Sequence, residues 1–196
     1  MKPATTKAAA AAILNHYADT AGLMKEDKRS IYGGQYKIET PDGPLYCYVS
    51  GYSIITSPDP LPGLEIIETK DQLNPYEYMR KALEQARNGW RYGGRWTAGQ
   101  DYHQPETPLN REALKAWKRT PEGKKHGFSI EDGPQRIGVS ARYALDFMTI
   151  YPKSLVFVAG PLDPIIFADP VTLDPAGMIM PVNPSALLPR KEARPE

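Results

Sequence analysis

The sequence predicts an α+β protein built of two helix-plus-antiparallel-strands halves with a helical insertion between them. Three observations predict it. The last third follows one helix-period stretch with three short apolar runs, separated by Gly160-Pro161 and by Asp169-Pro170 with Asp174-Pro175-Ala176-Gly177. The first third likewise follows a helix-period stretch with apolar runs across a Pro41-Asp42-Gly43 turn. The middle differs from both in being rich in glycine, aromatics and positive charge.

The elements follow in order. Thr5 or Thr6 caps an Ala-rich helix over residues 5–20, with Ile13, Leu14 and Tyr17 on its apolar face and Gly22 beyond its end. Ile31, Tyr36 and Ile38 lead into the Pro41-Asp42-Gly43 turn, and Leu45 to Val49 returns as the second strand of a hairpin. Ser50-Gly51 breaks the run before Tyr52 to Ile55, Pro58, Pro60 and Pro62 close it, and Leu64 to Glu68 forms a further strand. Asn74-Pro75 starts a helix that runs to Asn88-Gly89, because Asn caps and Pro suits the first helical position. A Gly- and aromatic-rich loop, Trp90 to Trp96, precedes a shorter helix from Asn110 to Arg119 containing Leu114 and Trp117. A short strand, Arg136 to Ser140, brings in the last helix over residues 141–150, which Pro152 stops. Leu155 to Val158, Ile165 to Phe167 and Met178 to Val182 are the closing strands. The Pro- and charge-rich tail, 184–196, is expected to be disordered.

At 196 residues and 41% hydrophobic the chain buries one good core, so a single domain over 1–183 with an insertion at 70–128 is expected. The formal net charge of +1 gives no global pull toward nucleic acid or membrane. Charge is regional instead: residues 70–125 hold twelve Lys/Arg against seven Asp/Glu, about +5, which leaves about −4 for the rest. Cys47 is the single cysteine, which excludes an intrachain disulfide and a Cys-rich metal site. No apolar run approaches the roughly 20 residues that span a bilayer. The Lys2–Leu14 stretch is too weakly apolar for a signal peptide, so cytoplasmic residence without a membrane partner is the expectation.

The words "GVSARYALDFM", "PIIFADP" and "MIMPV", and more loosely "GGQYKIETPDGPLYCYVSGYSII", resemble the DNA sliding clamp family, the bacterial DNA polymerase III β subunit. The resemblance covers residues 5–68 and 134–183 and leaves the basic middle as an insertion. It implies a single clamp-like domain where the bacterial protein has three, so a ring of six domains would take six copies, a homo-oligomer. It also implies a non-enzymatic role in DNA replication and processivity, with no cofactor. The partners implied are DNA and a replication protein carrying a clamp-binding peptide.

Carried over residue by residue, the family's peptide-docking groove has Val49, Tyr52 and Ile54 on one wall and Met180, Pro181 and Val182 on the other. Ser50 and Asn183 depart from the family's usual acidic and basic residues beside these walls, and core packing would account for the same six side chains. The family's DNA-facing helices correspond here to Lys7, Arg142 and Lys153. From composition alone, Arg87, Trp90, Arg91, Arg95 and Trp96 interleave guanidinium groups with indoles, which suits phosphate contact and base stacking. The same indoles would also anchor the insertion to the core. Two further readings stay open: a protein–protein adaptor or decoy with a clamp-like surface that does not encircle DNA, and an enzyme with its site near Asp101 and His103.

Overall fold

The computed structural model describes residues 3–4, 6–13, 34–40, 43–49, 53–60, 66–67, 79–80 and 102–188. These form a mixed α+β structure. Residues 7–13 are helical (α1), and strands Gly34–Thr40 (β1), Gly43–Val49 (β2), Ser53–Ser57 (β3) and Ile66–Ile67 (β4) follow. Helix Arg111–Arg119 (α2) precedes strands Phe128–Asp132 (β5) and Gln135–Val139 (β6) and helix Ala141–Ile150 (α3). Strands Leu155–Phe157 (β7), Ile165–Ala168 (β8) and Pro175–Ile179 (β9) close the chain.

One seven-stranded sheet has the order β4-β1-β2-β3-β9-β8-β7, antiparallel except for the two-residue β4 beside β1. The β1–β2 hairpin pairs Thr40 with Gly43, whose φ of +111 is a conformation glycine adopts without strain. Strands β3 and β9 form the seam between the halves, with Ile54 opposite Met178 and Ile55 opposite Gly177. The seam is close: a Cβ on Gly177 would stand 2.4 Å from the Ile54 carbonyl oxygen and 2.6 Å from the Phe147 ring. Glycine therefore lets α3 press Phe147 onto the junction.

Burial follows the alternation of the strands. Ile55, Ile165, Phe167 and Ile179 face the helical layer, where they join Ala12 of α1 and Ala144, Phe147 and Ile150 of α3 in one core. Phe147 and Phe167 meet with ring centroids 4.8 Å apart. Phe157, Ile166 and Ala168 form a second cluster with Tyr102. Tyr151, fully buried, bridges the seam: its hydroxyl accepts from the Thr56 N–H at 3.1 Å and donates to the Thr56 carbonyl. Thr56 in turn donates its own hydroxyl to the Ala176 carbonyl at 2.7 Å. Burial pushes the thiol of Cys47, on β2, up to about 12.

Several sequence expectations change. The segment Phe128–Asp132 lies partly in the expected insertion, yet it is a strand, because Phe128, Ile130 and Asp132 alternate and Gly133 takes a φ of +55 in the turn to β6. Consequently β6 pairs with β5 in a separate hairpin. The last strand is Pro175–Ile179, not Met178 to Val182. Pro175 is tolerated as a first strand residue, and Pro181 has no N–H for a ladder, so the chain leaves the sheet at Met180. Residues 184–188, expected in a disordered tail, are ordered: Pro184–Ala186 is a 3-10 turn capped by Asn183, and Leu187 is buried. The Gly127 N–H donates to the Ala186 carbonyl, and Arg136 donates to the Leu188 carbonyl at 2.8 Å. The predicted helix over 75–89 lies outside the described residues except for the helical pair 79–80, and 189–196 lies outside them entirely.

Candidate functional site

Helix α2 is held by its cap and its apolar side. The Asn110 carboxamide oxygen accepts from the N–H groups of Glu112 and Ala113 at 2.9 and 3.0 Å, satisfying two donors that a helix start leaves open. Leu114 is buried, and the half-buried Trp117 meets Phe128 edge to face at 6.3 Å. Arg111 donates to the Met148 carbonyl and, at 2.8 Å, to the Thr149 hydroxyl, fastening the start of α2 to the last turn of α3.

The outward side of α2 carries Lys115, Lys118 and Arg119, three and four residues apart and hence neighbours on one face. The turn after α2 folds back sharply. Thr120 donates both its N–H and its hydroxyl to the Trp117 carbonyl, and the Gly123 N–H donates to the Thr120 hydroxyl at 2.9 Å. A Cβ on Gly123 would lie 1.9 Å from the Trp117 carbonyl oxygen, so glycine is required for this return. It brings Lys124 beside the end of α2. Lys115, Lys118, Arg119, Lys124 and Leu145 of α3 then line an open hollow of about 510 Å³.

Of these cations, Lys115 is partly neutralised by Glu112 at 2.8 Å. The hydrogen bond from Lys115, and then its charge, lower the Glu112 carboxyl below the usual carboxylate value. Lys118, Arg119 and Lys124 are exposed and, among the described residues, form no salt bridge. Residues 111–125 contain six Lys/Arg and two Asp/Glu. Part of this charge has a local role, since Lys118 and Arg119 in the last turn complement the negative end of the helix dipole. Lys124 lies past that end and has no such duty.

The residues singled out in the sequence are distributed unevenly. Arg142 is exposed in the first turn of α3, one turn before Leu145, and does not line the basic hollow. Lys153 is exposed in the turn beyond the other end of α3, and the Ala4 N–H donates to the Ile150 carbonyl, tying the chain just before Lys7 to that same end. The three helix cations therefore do not form one patch, because α3 is about 15 Å long. Arg87, Trp90, Arg91, Arg95, Trp96, Tyr52 and Asp101 lie outside the described residues.

The proposed docking walls are partly in register. Val49 and Ile54 are cross-strand partners and share a face, but Met178, not Met180, stands opposite Ile54. Met180 is 37% exposed past the strand end. Val182 turns toward the β5–β6 hairpin, donating its N–H to the Gly138 carbonyl at 3.0 Å and packing its methyl over the positions of Gly127 and Gly138.

His103 acquires a partner that local sequence did not indicate. Its Nε2 lies 2.9 Å from the Oδ2 of Asp132, which is buried at the end of β5, and the Glu106 N–H reaches the other carboxylate oxygen at 3.4 Å. The backbone of His103 also pairs with Val158, extending the sheet beyond β7. Pro105 and Pro108 then cross the β7 edge without ladder donors, leaving a hollow of about 120 Å³ against Leu155 and Val156. The contact joins the segment around His103 to the β5–β6 hairpin. Among the described residues no group of three or more His, Cys, Asp or Glu is placed to hold a metal ion. No helix among them is long and apolar enough to cross a membrane.

The sequence reading missed Lys115, Lys118, Arg119 and Lys124 as a group. Their three- and four-residue spacing along one flank of the helix, beside Leu114, was a usable signal for the first three. The fourth depends on the Gly123 turn. Searches against protein-family models and curated proteins find no match for this chain.

Proposed function

We propose that the protein is a non-enzymatic, DNA-clamp-related accessory protein that binds nucleic acid through shape and local positive charge. The observation that carries this reading is the exposed basic surface of α2 and its following turn, where Lys118, Arg119 and Lys124 lack salt-bridge partners among the described residues. Cations held this way are available to phosphates, and neutralising phosphates releases counterions, which drives binding without reading sequence. The clamp relationship draws support from the architecture: helix and antiparallel strands at both ends of the chain, joined edge to edge through β3 and β9. Within that relationship, DNA replication is the setting, and a replication protein carrying a short apolar peptide is the protein partner.

Two measurements test the proposal. Binding to DNA should weaken linearly on a log–log plot against salt; no binding to DNA at low salt overturns the reading. Light scattering addresses encirclement: six copies per particle fit a ring, whereas a monomer at working concentrations removes encirclement and leaves a protein that binds from one side.

A further inference from the structure

We infer that the hollow between α2 and α3 is the nucleic-acid site, and that it grips the phosphate backbone of double-stranded DNA through Lys118, Arg119 and Lys124. The inference rests on the nucleic-acid-binding reading above and places the cations on α2 and its following turn rather than on the two helices that the clamp resemblance implies.

The lining residues decide the ligand. Four are cations and the fifth, Leu145, is aliphatic. None has a ring to stack on an unpaired base, so a single strand finds no aromatic platform there. The cations of an open surface hollow reach the phosphates that line a duplex, and contacts of that kind carry no sequence information. What remains is charge against charge, which favours the ligand of highest charge density, and duplex DNA releases more counterion per contact than a single strand. Lys124, returned by the Gly123 turn, adds a cation beyond the helix end. Leu145 gives the lysine stems an apolar wall to lie on while their ammonium groups reach outward.

The experiment compares the wild type with Lys118→Ala/Arg119→Ala/Lys124→Ala, and with Lys37→Ala as a charge control on β1. Each is titrated with a mixed-sequence DNA duplex, the same-length single strand and poly-glutamate across a salt series. The three altered side chains are exposed, so the variant should stay folded, with only the small loss expected from removing Lys118 and Arg119 from the end of the α2 dipole. The expected result is tighter binding of duplex than of single strand. The triple variant should lose about 2.7 from the log–log salt slope for duplex, while Lys37→Ala changes nothing. Duplex binding that survives the triple substitution with its slope intact overturns the site and leaves the nucleic-acid reading standing. Absence of wild-type binding to either DNA overturns both. Single-strand binding as tight as duplex, or poly-glutamate binding as tight as either, overturns the duplex-backbone assignment.

Discussion

Helices α2 and α3 have nearly equal lengths, nine and ten residues, begin at polar caps and pack along one another, yet they divide the work of the molecule. Helix α3 buries Ala141, Ala144, Phe147 and Ile150 and sets Phe147 on the seam where the two halves of the sheet meet. Helix α2 buries Leu114 alone and shows solvent a row of cations. A helix that seals a sheet has its sequence dictated by packing. One that leans on another helix needs an anchor and a cap, and its remaining positions are free for binding.

The largest expected effect breaks this division if it is wrong. Phe147→Ala removes a ring that touches Phe167, Tyr151 and the Gly177 seam, and should cost about 3–5 kcal/mol in denaturant unfolding. Leu114→Ala should fall near the lower end of the usual range, about 2 kcal/mol, because α2 can shift on α3 to fill the gap. Equal losses would make α2 as much a part of the core as α3. Cys47 offers an independent readout as the single thiol. It is buried on β2 with its pKa raised, so alkylation should require opening of the first half of the sheet, and Phe147→Ala should accelerate it more than Leu114→Ala.

A middle-sized effect sharpens the role of the seam. Tyr151→Phe keeps the ring but strands the N–H and carbonyl of Thr56, at an expected cost of about 1–3 kcal/mol. Burial holds the Tyr151 phenol above its ordinary pKa, so it remains a neutral donor and the loss should be the same from about pH 6 to about pH 9. A negligible loss would mean that Phe147 packing alone joins the halves.

How much of this was legible in the sequence follows the same division. Helix α3 could be read from Ser140, from the period of Ala144 and Phe147, and from Pro152, because local pattern and burial agree there. Strand β9 was displaced in the reading because Pro175, Ala176 and Gly177 carry the chemistry of a turn. What fixes Gly177 in a strand is the Ile54 carbonyl and Phe147, both distant in sequence. The β3–β9 seam and the His103–Asp132 contact are long-range pairings with no local signature. The basic hollow was half visible. Regional charge and helical spacing pointed to α2, but the position of Lys124 is set by a turn whose tightness depends on one glycine.

The smallest effects concern the caps, and they discriminate best between the helices. Asn110 accepts two N–H bonds at 2.9 and 3.0 Å, whereas Ser140 accepts one, from Tyr143, at 3.5 Å. Asn110→Ala should therefore cost about 1 kcal/mol and Ser140→Ala only a few tenths, measured by the same unfolding curves. The asymmetry has a physical basis beyond bond length: α3 is held by four buried residues whatever its cap does, while α2 relies on local terms to stay helical. If α2 frays without its cap, Lys115, Lys118 and Arg119 lose their common face, so Asn110→Ala should also weaken DNA binding although Asn110 does not line the hollow. Ser140→Ala should leave that binding unchanged.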